Sequence, residues 1–530
     1  MKRTKKKTNS RVAFVRRDKA LTVILSLRRK VDISPLVLPS RQRRHLDVAQ
    51  TADAFSPDAA DISAVRRYAR AQGLKCLEVS LAGATILLSG TVAQFNRAFG
   101  VKLVHRRDKK YPLPYLSHDE EVTVPAELKA VITGVFGLDT RPASRRPHRF
   151  AHEMSAQTTP PPPVTSKTRL PAEFAGFYNF PRNTSGKGQS IGLLEFGGGF
   201  HPKQLHSYFT SVGIQPPKII VKDVRPGTNK PRGKPGTLNP DTEVYLDIEV
   251  AASLAPDATI VVYFGENTTK GWLRTLQAAI LDKRHDLSVI SISWGEAEQE
   301  WSPQAIKQID DLFQLAAHRG ITICCSAGDR GISECDGVSF TVAFPASSPH
   351  VLACGGTRLE VRRNGSRNET VWNQWKQFRL ASGGGVSDVF PLPVYQQRAN
   401  VPLRHSDNRS PGRGIPDVAA NASSDTGYLI EANETRMSLG GTSAVAPLWA
   451  ALVARLNEAL GTKIGFLTPS LYKMNTATSG AVFDITRGFN GADRAHAFQA
   501  RPGWDPCTGF GSPNGEQLLR WLQRSHAKGR

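Results

Sequence analysis

The chain has 530 residues, 40% of them hydrophobic and 22% charged, a balance that can build a core and that excludes wholesale disorder. No apolar run approaches the roughly 20 residues needed to span a membrane. The net charge is +23, but its excess is concentrated ahead of a proline run at Thr158–Pro163, which argues against a nucleic-acid binder whose folded body is basic throughout.

In chain order, residues 1–18 read as a basic, disordered tail, with Lys2, Arg3, Lys5, Lys6 and Lys7 at its start. An ordinary secretion signal is not expected there, because Arg11, Arg16, Arg17 and Asp18 break any apolar core. Residues 19–143 read as a compact α+β unit. Strands are expected at Leu21–Leu27, Ala84–Leu88, Val101–His105 and Val122–Val124. Helices are expected at Asp61–Gly73 and Val92–Phe99, and a further one beginning within Pro125–Val135, with proline near its first position. Residues 144–168 form a basic, proline-rich linker that favours extended backbone and exposes it to proteolysis. From Arg169 the texture is α/β. Strands at Ser190–Glu195, Thr259–Phe264, Ser288–Ser293 and Ile321–Ser326 alternate with helices at Val244–Leu254, Gly271–Leu281 and Pro303–Arg319, which predicts a parallel sheet covered on both faces.

The 6 cysteines show no metal-like spacing, and Cys324 and Cys325 read as buried free thiols. Three short segments can carry chemistry. Gly440–Pro447 (GGTSAVAP) sets Ser443 at the start of an apolar helix, where a nucleophile can be exposed, although a capped buried helix explains the same letters. None of the 13 histidines sits in an H-G-T setting, so a serine nucleophile here needs a carboxylate as its base. Glu243 and Asp247 lie at i and i+4 on a mostly apolar helix; a solvated acidic stripe that includes Glu249 is the alternative. Asp329 follows the strand Ile321–Cys325, where α/β folds place ligands and chemistry, but also where turns use Asp before Gly.

Together these segments resemble the sedolisin family of serine-carboxyl peptidases, and its kumamolisin branch in particular. The resemblance runs in order through Gln189–Phe200, Glu243–Pro256, Ser291–Gly295, Phe344–Thr357, Gly440–Pro447 and Gly503–Pro513. In the front unit, Leu88–Gly100 and Gly137–Pro142 look like the family's activation domain. The resemblance implies a subtilisin-like parallel-sheet catalytic domain over residues 169–530, preceded by a smaller, ferredoxin-like α+β activation domain. It assigns Ser443 as nucleophile, Glu243 as general base, Asp247 as the partner orienting that base, and Asp329 as the acid serving the oxyanion. Glu195 and Trp294 match residues that extend the hydrogen-bonded network. It also implies one structural calcium ion held by the side chains of Asp484 and Asp505 and the carbonyls of Ile485, Arg501 and Gly503. Arg330 after Asp329, Ala343 before Phe344-Pro345, and Arg501 depart from the usual pattern.

The expected protein is therefore an acid-acting endopeptidase made as a self-processing proenzyme, with polypeptide substrates and its own prodomain as inhibitor and chaperone. A secreted monomer with no nucleic-acid partner is expected from that function. Two rival readings fit the residues less well. Gly197-Gly198-Gly199 after a strand suggests a dinucleotide loop but lacks the G-x-G-x-x-G spacing. An inactive peptidase-like binding protein should have lost one of the four assigned residues, and all four are present.

Overall fold

The computed structural model describes residues 11–34, 45–107, 111, 113–144, 161–333, 340–362, 364–474 and 479–527. The front unit contains β1 (Arg11–Phe14), β2 (Ala20–Leu27), α1 (Val48–Phe55), α2 (Ala59–Ala71), β3 (Lys75–Ser80), β4 (Thr85–Thr91), α3 (Val92–Phe99), β5 (Val104–Arg107), β6 (Tyr115–Ser117) and β7 (Ile132–Phe136). Four of these strands form an antiparallel sheet in the order β3-β4-β2-β7. With helices following β2 and β4, this is the split βαβ arrangement of a ferredoxin-like unit. The sequence fixes it locally. In α3 the cap Thr91 and Gln94 bond reciprocally, Gly100 closes the helix in the left-handed conformation, and Val92, Phe95, Ala98 and Phe99 fill the core.

Three expectations fail in this unit. Arg11–Phe14, assigned to the tail, is a strand paired antiparallel with β5. Pro125–Val135 starts only a short 3-10 turn at Ala126–Leu128, and the chain then enters β7. Ile132, Gly134 and Phe136 are buried while Thr133 and Val135 are half-buried, a period-2 pattern that pairing with β2 satisfies and a helix would not. Val122–Val124 forms no strand; both valines are half-buried against the core of the unit.

The second unit holds α4 (Glu173–Phe177), β8 (Ser190–Glu195), α5 (Pro202–Ser211), β9 (Ile219–Asp223), α6 (Pro240–Leu254), β10 (Thr259–Phe264), α7 (Thr269–Ile280), β11 (Val289–Ile292), β12 (Glu296–Ala297), α8 (Pro303–His318), β13 (Thr322–Ser326), β14 (Ala343–Phe344), β15 (Leu352–Val361), β16 (Arg367–Val371), α9 (Trp375–Phe378) and α10 (Thr442–Leu460). Its main sheet runs β16-β15-β13-β11-β8-β10-β9, with the strand Val418–Asn421 beside β15. Every neighbouring pair is parallel except β15–β16. Alternate strand residues feed two cores. Ile191, Leu193, Ile260 and Val262 pack with α6 and α10 on one face; Leu194, Val261, Tyr263 and Ile323 pack with α7 and α8 on the other.

The front unit docks on the α7–α8 side, where Ile24, Ile33, Phe55 and Phe136 join the core that holds Trp272 and Leu312. Of the linker, residues 145–160 lie outside the described residues. The rest is partly held: Pro162 O accepts from Ser438 N at 3.1 Å, and Arg169 exchanges backbone hydrogen bonds with Gly427 and Leu429. Among the described residues no helix is long and apolar enough to cross a membrane.

Candidate active site

Ser443 stands in the first turn of α10, a helix buried through most of its length. Its N-cap is Gly441 at φ +87°, a conformation that disfavours side chains, and the Gly441 N–H is bonded to Ala422 O at 2.6 Å. Ser443 is fully buried, and its Oγ has no hydrogen-bond partner among the described residues.

α6 packs directly against α10. It begins at Asn239, whose side chain accepts from Asp241 N, with Pro240 in its first turn. This start aims Glu243 and Asp247 inward: Glu243 is 1% exposed, and Asp247 and Glu249 are 0% exposed. A solvated acidic stripe is therefore excluded. The Glu249 carboxylate accepts from Glu431 N at 3.0 Å, in the hairpin Tyr428–Leu439 that leads into the Ser443 turn.

The remaining groups come from the C-terminal ends of neighbouring parallel strands, where such sheets build their sites. Ser293, just past β11, has its Oγ 2.9 Å from Asp247 Oδ1 and 3.2 Å from Ser443 O. Trp294 Nε1 donates to Glu195 Oε2 at 3.0 Å, and Glu195 ends β8. Burial pushes the Glu195 carboxyl well above the usual range, its bond from Trp294 opposes that, and the charge of Glu243 adds to it. Burial, then the charges of Glu195 and Glu243, do the same to Asp247. Each of these two carboxyls acts on the other. Two buried acids that influence one another titrate as a pair rather than singly.

Asp329 lies past the end of β13 and is 1% exposed. Its Oδ1 accepts from both Thr442 N and Thr442 Oγ1 at 2.8 Å, and Gly328 N donates to Thr442 Oγ1 at 3.2 Å. Asp329 is thus tied to the residue immediately before Ser443. The structure brings Ser443, Glu243, Asp247, Asp329, Glu195 and Trp294 into one buried region. Sequence reasoning gave no role to Ser293 or Thr442. Both lie inside segments it quoted, but a hydroxyl carries no periodicity that separates a bridging role from core packing.

The glycine run 197–199 has a packing explanation. A Cβ on Gly198, at φ +73°, would fall 2.5 Å from the carbonyl of Pro240, so the run lets the chain pass close to the start of α6.

The five residues considered for calcium meet in a hairpin closed by Val482–Phe483 pairing with Ser512–Pro513 and by a Phe489–Gln499 bridge. Asp484 Oδ2 accepts from Gly503 N at 2.7 Å. Asp505 is fully buried; its oxygens accept from Cys507 N, Thr508 N and Arg501 N. Burial raises both carboxyls, Asp505 to about 6. The Arg501 guanidinium is bonded to the carbonyls of Asn400 and Trp504 and forms no ion pair with either acid. One buried carboxylate, Asp505, and one exposed carboxylate, Asp484, on facing arms of the same hairpin make an oxygen donor set that suits a hard cation. No cluster of three or more His, Cys, Asp or Glu residues capable of holding a metal occurs among the described residues.

A serine at the start of a helix packed on the central strands of a parallel sheet, with an antiparallel α+β unit docked on the opposite side, defines the class: a subtilisin-like hydrolase that carries its activation domain. Residues 37–141 match the family model for the pro-kumamolisin activation domain, and residues 236–497 match that of the subtilase family. The chain is 42% identical to kumamolisin of Bacillus sp. (strain MN-32), over 95% of this chain and 91% of that one. It is 28% identical to sedolisin of Pseudomonas sp. (strain 101), over 88% and 80% respectively. The solved structure of Pseudomonas sedolisin complexed with two molecules of pseudo-iodotyrostatin superposes with a TM-score of 0.61 at 28% identity, covering 68% of this chain and 99% of that one. The chain belongs to the kumamolisin/sedolisin family of serine-carboxyl peptidases.

Proposed function

We propose that this peptidase is an acid-acting endopeptidase in which Ser443 is the nucleophile and Glu243 its general base. Ser443 Oγ attacks the scissile carbonyl carbon as its proton passes to Glu243. Asp247 orients Glu243, and protonated Asp329 donates to the developing oxyanion, which a carboxylate would repel. Glu243 then returns the proton to the leaving amine. Water repeats the sequence on the acyl-enzyme, releasing the second product and restoring Ser443. Glu195 and Trp294 hold Asp247 from behind. The observation that carries this reading is the Ser293 hydroxyl, which spans Asp247 and the backbone of Ser443 and so fixes the carboxylate helix against the nucleophile helix. The missing hydrogen bond at Ser443 Oγ fits a site whose catalytic contacts tighten only around substrate.

The same reading makes residues 19–143 an intramolecular inhibitor, removed by self-cleavage in the linker. It places the mature monomer outside the cell, acting on polypeptides. Asp484 and Asp505, with the carbonyls of Ile485, Arg501 and Gly503, would hold one calcium ion, whose chemistry is charge neutralisation within the hairpin.

The pH–rate profile of Asp329→Asn against the parent tests the assignment. The parent profile is bell-shaped, with its peak well below neutral pH. The variant loses much activity at that peak, and its alkaline limb flattens or moves upward, because a neutral amide has no proton to lose there. An alkaline limb unchanged in the variant, at measurable activity, contradicts the role of Asp329.

A further inference from the structure

The polar contacts between the two units are not evenly distributed. Several are single bonds: Thr85 Oγ1 to Gln277 at 3.3 Å, Gln277 Nε2 to Gly83 O at 3.4 Å, and Gln308 Nε2 to Thr133 Oγ1 at 3.0 Å. Ser144, where the linker begins, is different. Its backbone N–H donates to Asn267 Oδ1 at 3.0 Å, and its carbonyl accepts from Asn267 Nδ2 at 2.8 Å. Its hydroxyl donates to the same Asn267 oxygen at 3.0 Å and accepts from Trp272 Nε1 at 3.2 Å. The adjoining Ala143 N–H donates to Asn267 O at 3.2 Å.

The asparagine amide therefore pairs with a backbone N–H and C=O as a neighbouring strand would, which holds any extended peptide. The indole reads the side chain, since only a residue with an acceptor at that position satisfies Trp272 Nε1. Ser144 is 3% exposed and Trp272 0%, so an unmatched donor there would be left buried and unpaired, a costly state. The clamp is rigid as well. Thr268 Oγ1 caps α7 by accepting from Gly271 N at 3.1 Å. Trp272 stacks on Phe196 at 3.9 Å and 12° and meets Trp301 edge-on at 5.3 Å.

We propose that Asn267 and Trp272 form a recognition site for the seryl end of the activation unit, an extended peptide ending in a small hydroxyl residue, and that this site keeps the unit bound after the linker is cut downstream of Ser144. This rests on the reading that the unit is severed within the linker, but it is testable without the chain's own activity. In a full-length Ser443→Ala chain, residues 151–157 are replaced by the recognition sequence of a site-specific protease. The linker is then cut with that protease at neutral pH, and the dissociation rate of the front unit is measured. In this background the front unit stays bound. Asn267→Ala and Trp272→Phe each speed its release at least tenfold, Ser144→Ala at least fivefold, and Ser144→Thr less than twofold. Gln277→Ala, which removes only the long bonds, changes it less than threefold. Immediate release from the Ser443→Ala background, or Asn267→Ala and Ser144→Ala both within twofold of it, overturns the proposal. Ser144→Ala leaves the catalytic unit's sequence intact, so misfolding of that unit does not mimic its effect.

Discussion

A carboxylic acid buried beside another gives up its charge before it gives up its place, and Glu195 and Asp247 are in that position. Both carboxyls are raised above their ordinary range, first by burial and then by neighbouring charge. For a raised acid, the stability contribution is complete below its unfolded value. It is lost as pH rises through the folded one. The catalytic unit should therefore weaken as pH climbs from the acid range toward neutrality. Glu195→Gln keeps the shape and the bond from Trp294 but removes one ionisation. The melting temperature of the parent, relative to this variant, falls steadily between pH 4 and pH 7, while kcat of the variant drops at the acid optimum. Parallel melting curves across that range would show that the pair does not titrate as described. At this scale Glu243, Asp247, Asp329 and Ser443 were candidates because they sit in long ordered blocks that carry a family resemblance, and the structure places them in one buried region. Ser293 and Thr442 were not, because Ser293 bonds to residues 46 and 150 positions away and Thr442 to one 113 away, and nothing local marks such contacts.

Helix α6 shows how a local signal positions a distant group. Asn239 and Thr242 bond reciprocally across the first turn, and Pro240 presets its backbone. Glu243 is the next residue, so the cap fixes where the proposed base stands. Asn239→Ala should cost about 1 kcal/mol of stability, as loss of such a cap does, measurable by urea unfolding. Its kcat should fall more than its KM rises, because the misplaced group acts only in the transition state. A variant as stable and as active as the parent would show that tertiary packing alone sets the helix start. Elements with one strong period or a clear cap were legible: β2, β4, β8, β10, α3 and α8 lie within a few residues of where the sequence puts them. β7 was misread because Pro125 opens a helix-like run, whereas the pairing of Ile132–Phe136 with β2 depends on a strand more than 100 residues earlier. The strand Arg11–Phe14 escaped for the same reason, since only pairing with β5 distinguishes it from a charged tail.

At the scale of the whole molecule, the two-unit plan was legible from composition, while the manner of docking was not. The contacts that join the units, from Ile24 and Phe136 to Trp272, and from Ser144 to Asn267, are made between segments whose sequences show only ordinary core letters. The proposed calcium site also acts at this scale, because the hairpin it would close is joined to the main sheet by the bond from Ala419 N to Gly511 O at 2.8 Å. A ligand bound only by the folded state adds about 2.7 kcal/mol when present at 100 times its dissociation constant. Chelation should lower the melting temperature, calcium should restore it saturably, and Asp505→Asn should remove the dependence. No change on chelation, in protein shown to be metal-free, counts against the site. The central claim is that Ser443, served by carboxylates, performs the chemistry that also releases the front unit. The direct measurement is to acidify the purified full-length parent and its Ser443→Ala variant and to sequence the N-termini that appear over time. The account predicts that the parent yields a new N-terminus between residues 145 and 167 and that the variant remains full length. Processing of Ser443→Ala alone, or a parent that stays intact and cleaves no denatured protein in acid, would contradict it.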